Sequence, residues 1–377
     1  MTKKSVDTII IGAGISGLSC AKHLYENEND FLLISNDIGG RILTSNDGNT
    51  NYGAFFVCSD YYHLLKYVKL KSKIKLTEFC FHQNNNYYII LEPRIIKYLT
   101  QFFKMIKILY KFRKTFRNFR RKSEQHSQKT VIEHNSYLHK LYLQNASDFV
   151  IENNLQKGTK DYFSKALYST TFSPINKMNA FSFLQYLLPL ITPIYKFRFE
   201  KEKMIKPFEN KITLGNVEDI TYKNNQYKIK YKDNFLTSKN LVLATEINWS
   251  KQYAQIKKTN KPVTTKMYHI SATPKKIIRK GYYHLFSSPS NVQAIANLKD
   301  DTFLFYYKNE PAPIKNYFQK YKIISSKTWD PAGTINGHTL IESNRGNNLY
   351  LIGDFNVAGL EESYITGLYC ANQINNK

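Results

Sequence analysis

The stretch Val6 to Leu24, VDTIIIGAGISGLSCAKHL, constrains the fold more than any other part of the chain. Val6 to Ile11 is a short β-branched run, the pattern of a strand buried on both faces of a parallel sheet. It enters Gly12-Ala13-Gly14-Ile15-Ser16-Gly17 and continues as an amphipathic stretch to about Glu26. Strand, glycine turn and helix in that order make a dinucleotide fingerprint. Gly12 suits the tight turn, Gly14 lets backbone approach a pyrophosphate, and Gly17 lets the helix pack closely on the strand. The diphosphate would sit on the helix N-terminus, beside Ser16, where free N–H groups and the positive dipole end favour an anion.

The second strand reads as Phe31 to Ile34, and its end is where an acidic residue ordinarily grips the adenosine ribose. Ser35 holds that place here, followed by Asn36 and Asp37. A hydroxyl still offers one hydrogen bond, and Asp37 lies within reach of the ribose. With no basic residue nearby for a 2′-phosphate, NADP gains no support at this site.

Next come Ile38-Gly39-Gly40-Arg41-Ile42 and Asn51-Tyr52-Gly53-Ala54. At this point the chain resembles the FAD-dependent amine oxidase and phytoene desaturase superfamily, whose second strand runs into a GGR loop and then a D-x-G-A segment. The resemblance implies that Gly40 and Arg41 meet the FAD diphosphate, while Gly53 and Ala54 pass close to the isoalloxazine ring. Arginine suits bidentate phosphate recognition, and small residues let backbone approach a planar ring. Asn51 replaces the acid usual in that segment.

Two later segments resemble the same family. Ile212 to Val217, with a hairpin around Lys223-Asn224-Asn225, looks like the adenine-side strand and would place Val217 against the adenine. Lys239 to Thr245 looks like the strand ending in an ATG turn, with Glu246 in place of glycine after Thr245. The terminal match is Leu349 to Ile352 followed by Gly353-Asp354, similar to the family's GD pair, in which the aspartate bonds a ribityl hydroxyl. The helix from Leu360 to Ile374 would aim its N-terminus near the flavin, where N–H groups stabilise negative charge on the reduced ring. The pair usual before that helix reads here as Glu362-Ser363, and Ser363 is the cofactor-side candidate. Glu361 and Glu362 are the clustered acids nearest the expected flavin.

The implied fold class is α/β: a Rossmann-like, glutathione-reductase-type FAD-binding domain from discontinuous segments 1–66, 205–260 and 330–377, plus an α+β substrate domain from 67–204 and 261–329. Glu78 to Leu91 alternates around Asn84-Asn85-Asn86 like a hairpin. Residues 133–170 read helical, and strand candidates include Met267 to Ser271, Tyr282 to Phe286 and Phe303 to Tyr307. The apolar tract Ala180 to Tyr195 is short of the ~20 residues that span a bilayer and carries two prolines.

Lys97 to Lys122 holds ten lysines and arginines and no acid. Phe102, Ile106, Leu109, Phe112 and Phe116 share one helical face, with Lys104, Lys107, Lys111 and Lys114 opposite. Such a helix can lie peripherally on an anionic membrane. The plainer reading packs its aromatic stripe on the core and solvates its lysines. Its arginine-rich end, Arg117 to Lys122, can also be read as a loop.

Flavin enzymes need little acid–base machinery, because the ring accepts the hydride and the protein positions substrate. In the resembling oxidases a lysine bonds a water near flavin N5, and Lys266 is the positional match. Trp329 precedes the terminal strand as a candidate ring wall. His338 reads as an ordinary loop histidine, and the nine histidines show no metal-ligand spacing.

The 377 residues, 42% hydrophobic, suffice for more than one domain. The formal net charge of +25 reflects mostly lysine in a chain rich in asparagine, isoleucine and tyrosine; without a recognition motif it does not indicate nucleic acid. Four widely spaced cysteines without a CxxC pair, and no leader ahead of Val6, point to reduced thiols and a cytoplasmic chain. The resulting expectation is an FAD-dependent oxidoreductase removing hydride from a C–C or C–N bond. A small apolar, isoprenoid-like substrate is preferred to a polyamine, which so positive a chain would repel. The competing readings are an amine oxidase acting on a small amine, a pyridine-nucleotide dehydrogenase, and a non-catalytic FAD-binding or membrane-peripheral protein.

Overall fold

The computed structural model describes residues 5–45, 47–232, 234–298 and 301–376. The first strand, Ser5–Ala13, lies at the centre of a seven-stranded sheet, flanked by parallel partners Phe31–Ile38 and Asn234–Leu243. Ile212–Leu214 extends one side in parallel, Leu349–Leu351 pairs in parallel with the end of Asn234–Leu243, and the hairpin Val217–Lys223/Gln226–Tyr231 closes the other side. The β-branched run explains the central place: Ile9 and Ile10 are fully buried, one toward each face of the sheet.

On one face, the fingerprint helix Ile15–Glu26 packs against the terminal helix Leu360–Asn375. The first and last segments of the chain thus form a single layer. Their strands end together, which brings the glycine turn, the Arg41 loop and Gly353-Asp354 to one edge.

A second seven-stranded sheet runs Phe318–Asn336, Lys261–Pro274, Thr302–Tyr307, Val292–Asn297, Tyr283–Leu285, Phe79–Gln83 and Asn86–Ile89. The hairpin around Asn84 and Asn85 forms where expected, both asparagines adopting positive φ at the turn. A three-stranded sheet joins Val57–Cys58 and Val68–Ile74 to Ile194–Phe199. Phe318–Asn336 passes through residue 330, so a continuous strand crosses the boundary expected there.

The long basic helix spans Leu99–Lys122, and its arginine-rich end is helical rather than a loop. Phe102, Leu109, Phe112 and Phe116 are buried, joined by Met105, Phe119 and Arg120; Ile106 is only half-buried. Its basic last turn suits the negative end of the helix dipole. The apolar tract 180–195 divides at its prolines: Asn179 caps the helix Ala180–Leu187, which stops before Pro189, and strand Ile194–Phe199 begins after Pro193. Among the described residues, no helix is long and apolar enough to cross a membrane.

Candidate dinucleotide and substrate site

A cavity of about 670 Å³ starts at the strand ends of the first sheet and runs between the second sheet and the helices Ser164–Thr171 and Ala180–Leu187. Its two ends differ in chemistry.

The dinucleotide end is mostly backbone. Gly12, Gly14 and Ser16 line it, with Ser35, Gly40, Arg41, Gly53, Ala54, Thr245, Gly353, Asp354 and Ser363. Gly12 has φ +106°, and a Cβ there would lie 2.6 Å from the Ala244 carbonyl oxygen. Gly17 does not line the cavity; a Cβ on it would stand 1.9 Å from the Gly12 oxygen, so its lack of side chain seats helix on strand. Gly14 faces open space and opens the fingerprint helix in extended conformation, with no acid in the first turn. That leaves the helix N-terminus free to receive an anion. Ser35 donates its hydroxyl proton to the Asp37 carbonyl at 2.7 Å, and Asp37 lines the cavity beside it.

Arg41 and Asp354, assigned from opposite ends of the chain, meet as a bidentate pair, one N–O distance being 2.7 Å. Arg41 also donates to the Ala332 carbonyl, and the Thr334 amide donates to Asp354. Burial pushes the Asp354 carboxyl up, and the guanidinium more than reverses this, leaving it below the ordinary carboxylate value. Arg41 keeps part of its side chain exposed, as an anion-binding group requires.

Val217 stands apart. It is half-buried on the outer hairpin and packs against the Val6–Leu236 cluster instead of lining the cavity. The strand pleat accounts for Lys266 in the same way. Its neighbour Thr265 lines the cavity, whereas Lys266 faces the other side and ion-pairs with Glu310 at 3.5 Å. Trp329, in register with Thr265, does line the cavity. His338 contacts the Tyr142 carbonyl and Asn145, away from it.

The other end is apolar and aromatic, walled by Phe81, Tyr162, Phe163, Phe172, Leu190, Tyr283 and Tyr306. Among the described lining residues the acids are Asp37, Glu246, Asp330 and Asp354, and there is no lysine. All four acids lie in segments that form, or run directly into, the dinucleotide end. His284 lines the apolar end, yet both its nitrogens are engaged, one with His82 at 2.8 Å and one with the Arg279 carbonyl. Burial pushes His284 down to about 4 and, with His284 beside it, His82 down to about 3.

Next to the cavity, outside its lining, Glu361 and Glu362 have partners that went unassigned in the sequence. Arg120 reaches from the long helix to Glu362 in the first turn of the terminal helix at 2.7 Å, and to Asp60 at 3.5 Å; all three are at most 4% exposed. Burial pushes the Glu362 carboxyl up, and Arg120 offsets this only in part. Glu361 accepts backbone N–H groups from Tyr62, His63 and Leu64. The aromatic wall comes from scattered segments with no common motif, and only the strand candidates Tyr282 to Phe286 and Phe303 to Tyr307 pointed to part of it. Among the described residues no cluster of potential metal ligands occurs.

Residues 10–69 match the NAD(P)-binding Rossmann-like domain family. No curated protein sequence matches the chain. Among solved structures, putrescine oxidase bound to putrescine aligns over 99% of both chains at 13% identity and TM-score 0.65. Cyclohexylamine oxidase from Brevibacterium oxydans covers 98% of this chain and 99% of its own at 15% identity and TM-score 0.66. A fatty acid isomerase from P. acnes that produces CLA covers 100% of this chain and 99% of its own at 13% identity and TM-score 0.67. From end to end, the chain has the fold shared by these oxidases and the isomerase, with a Rossmann-like dinucleotide-binding domain at its core.

Proposed function

We propose that the chain is an FAD-dependent oxidoreductase that removes hydride from a C–C or C–N bond of a small apolar substrate. The observation that carries this reading is the two-ended cavity, with a backbone and arginine cradle at one end and an aromatic chamber at the other. The residues present fit FAD. Gly12 makes the tight turn against Ala244, Gly14 leaves backbone open to a diphosphate, Arg41 offers a partly exposed guanidinium, and Asp354 offers a carboxylate for a ribityl hydroxyl. Bound there, FAD would supply the hydride acceptor.

The protein's part is to hold and to exclude. Ser35 and Asp37 would bond the adenosine ribose, while Gly53 and Ala54 would admit the ring beside Tyr52. Trp329 and Thr265 would border the reacting carbon, and the aromatic wall would keep water from it. Lys266, turned toward Glu310, is left out of the chemistry. The aromatic walls of the chamber carry no charge, and Asp330, next to Trp329, is the lining acid of that strand, which supports an apolar substrate. A small amine is the second reading, drawn from the likeness to putrescine and cyclohexylamine oxidases. A cytoplasmic setting accords with four widely spaced, buried cysteines.

Purification and anaerobic titration test this. A yellow protein whose visible absorbance bleaches with isoprenoid hydrocarbons that can lose hydride and proton from adjacent carbons supports the main reading, and bleaching with amines alone supports the second. A colourless protein that does not take up FAD overturns both.

A further inference from the structure

The long helix carries a second apolar face. Its aromatic stripe is consumed by the core, so it cannot also enter a bilayer. At about 100° per residue, however, Leu99, Phe103 and Tyr110 fall within roughly 40° of one another on the outer side, and they are 39%, 68% and 58% exposed. Just before the helix, Leu91 and Ile96 are 71% and 67% exposed. Five large apolar side chains exposed between residues 91 and 110 are more than scattered exposure explains.

The surroundings are basic. Lys104, Lys107 and Lys114 are exposed beside this strip. The one acid between Leu91 and Lys122, Glu92, accepts the Ile89 amide. The strip also adjoins the cavity wall in sequence: Ile90 and Phe102 line the aromatic chamber, while their neighbours Leu91 and Phe103 stand outside.

We infer that this face docks on an anionic lipid surface, with Leu91, Ile96, Leu99 and Phe103 immersed among acyl chains and the lysines at the headgroups. Charge complementarity selects this occupant over a second copy of the chain, since two copies would bring like-charged lysines together. The docked face sets the chamber end of the cavity at the bilayer. That the bilayer also supplies the substrate rests on the functional reading above; the docking itself does not.

The full chain is floated with vesicles of phosphatidylcholine containing about a third phosphatidylglycerol, and with phosphatidylcholine alone, at about 0.1 M salt. Wild type should float with the anionic vesicles only. Leu91→Ser/Ile96→Ser/Phe103→Ser should weaken association at least about tenfold, with unaltered circular dichroism because all three side chains are already two-thirds exposed. Lys104→Gln/Lys107→Gln/Lys114→Gln should weaken it comparably. Lys320→Gln/Lys322→Gln/Lys327→Gln, the same charge loss on an exposed edge strand, should leave it unchanged. Wild type that stays unbound, a serine variant that floats like wild type, or a dimer dissolved by the serine substitutions overturns the proposal. Because flotation needs no flavin, these results are independent of whether the protein binds FAD.

Discussion

The two ends of the cavity are built on different terms. At the dinucleotide end the working surface is backbone, and particular residues are required because almost nothing else fits: a Cβ at Gly12 or Gly17 would collide with main-chain oxygen. At the substrate end the surface is side chain, and Phe, Tyr and Leu are widely interchangeable there if volume is kept. Backbone geometry ties a site to its ligand, and an apolar lining ties it only to a shape.

The sharpest break between the ends is expected at Gly17→Val. It should remove FAD retention and destabilise the fold by roughly 3 kcal/mol or more, measured by bound-flavin absorbance and denaturant titration. A stable yellow variant would mean that the close approach is relaxed at little cost. The ion pair between the long helix and the terminal helix should respond next. Arg120→Met leaves Glu362 buried without its partner and should cost about 3–5 kcal/mol in thermal denaturation, with Arg120→Met/Glu362→Leu recovering most of it.

Arg41→Met should weaken FAD binding about 10- to 100-fold in an equilibrium titration, since it removes a charged contact but spares the glycine turn. The substrate end should show itself in acid. His82 and His284 stay neutral in the fold down to about 3 and about 4, whereas unfolded imidazoles protonate near their ordinary value of 6.5. The unfolded chain therefore binds more protons between those limits, so stability falls as pH falls through 6.5 toward 4. His82→Phe/His284→Leu should flatten that slope by about 2 kcal/mol per histidine, about 4 kcal/mol in all, between pH 7 and 5. Phe163→Leu should be mildest, with under about 1.5 kcal/mol in stability and unchanged FAD affinity, but a shifted preference for substrate size. Loss of flavin in that variant would dissolve the distinction between the two ends.

The same contrast governs what the sequence disclosed. Gly12, Gly14, Arg41 and Asp354 were readable because their spacing reflects a backbone path, and all four meet at one edge. Lys266 was chosen by position along the chain, and a strand shows only alternate residues to one side; its neighbour Thr265 is the one that lines the cavity. Val217 sits on the right hairpin but faces its packing cluster. Arg120 was hidden among ten basic residues, because burial of one arginine depends on Glu362 and Asp60, far away in sequence. The aromatic wall was illegible for a related reason: tertiary packing, not local periodicity, decides which of many Phe and Tyr residues face inward.

Glu361 binds three successive amides just after the Arg41 and Gly53 segments, and its helix covers the fingerprint helix. During synthesis those early residues emerge long before residues 349–375. Until that later segment docks, the strand, turn and helix keep an apolar flank bare. A dinucleotide that enters this site is therefore a late arrival, held only once residues 349–375 have been made and have docked.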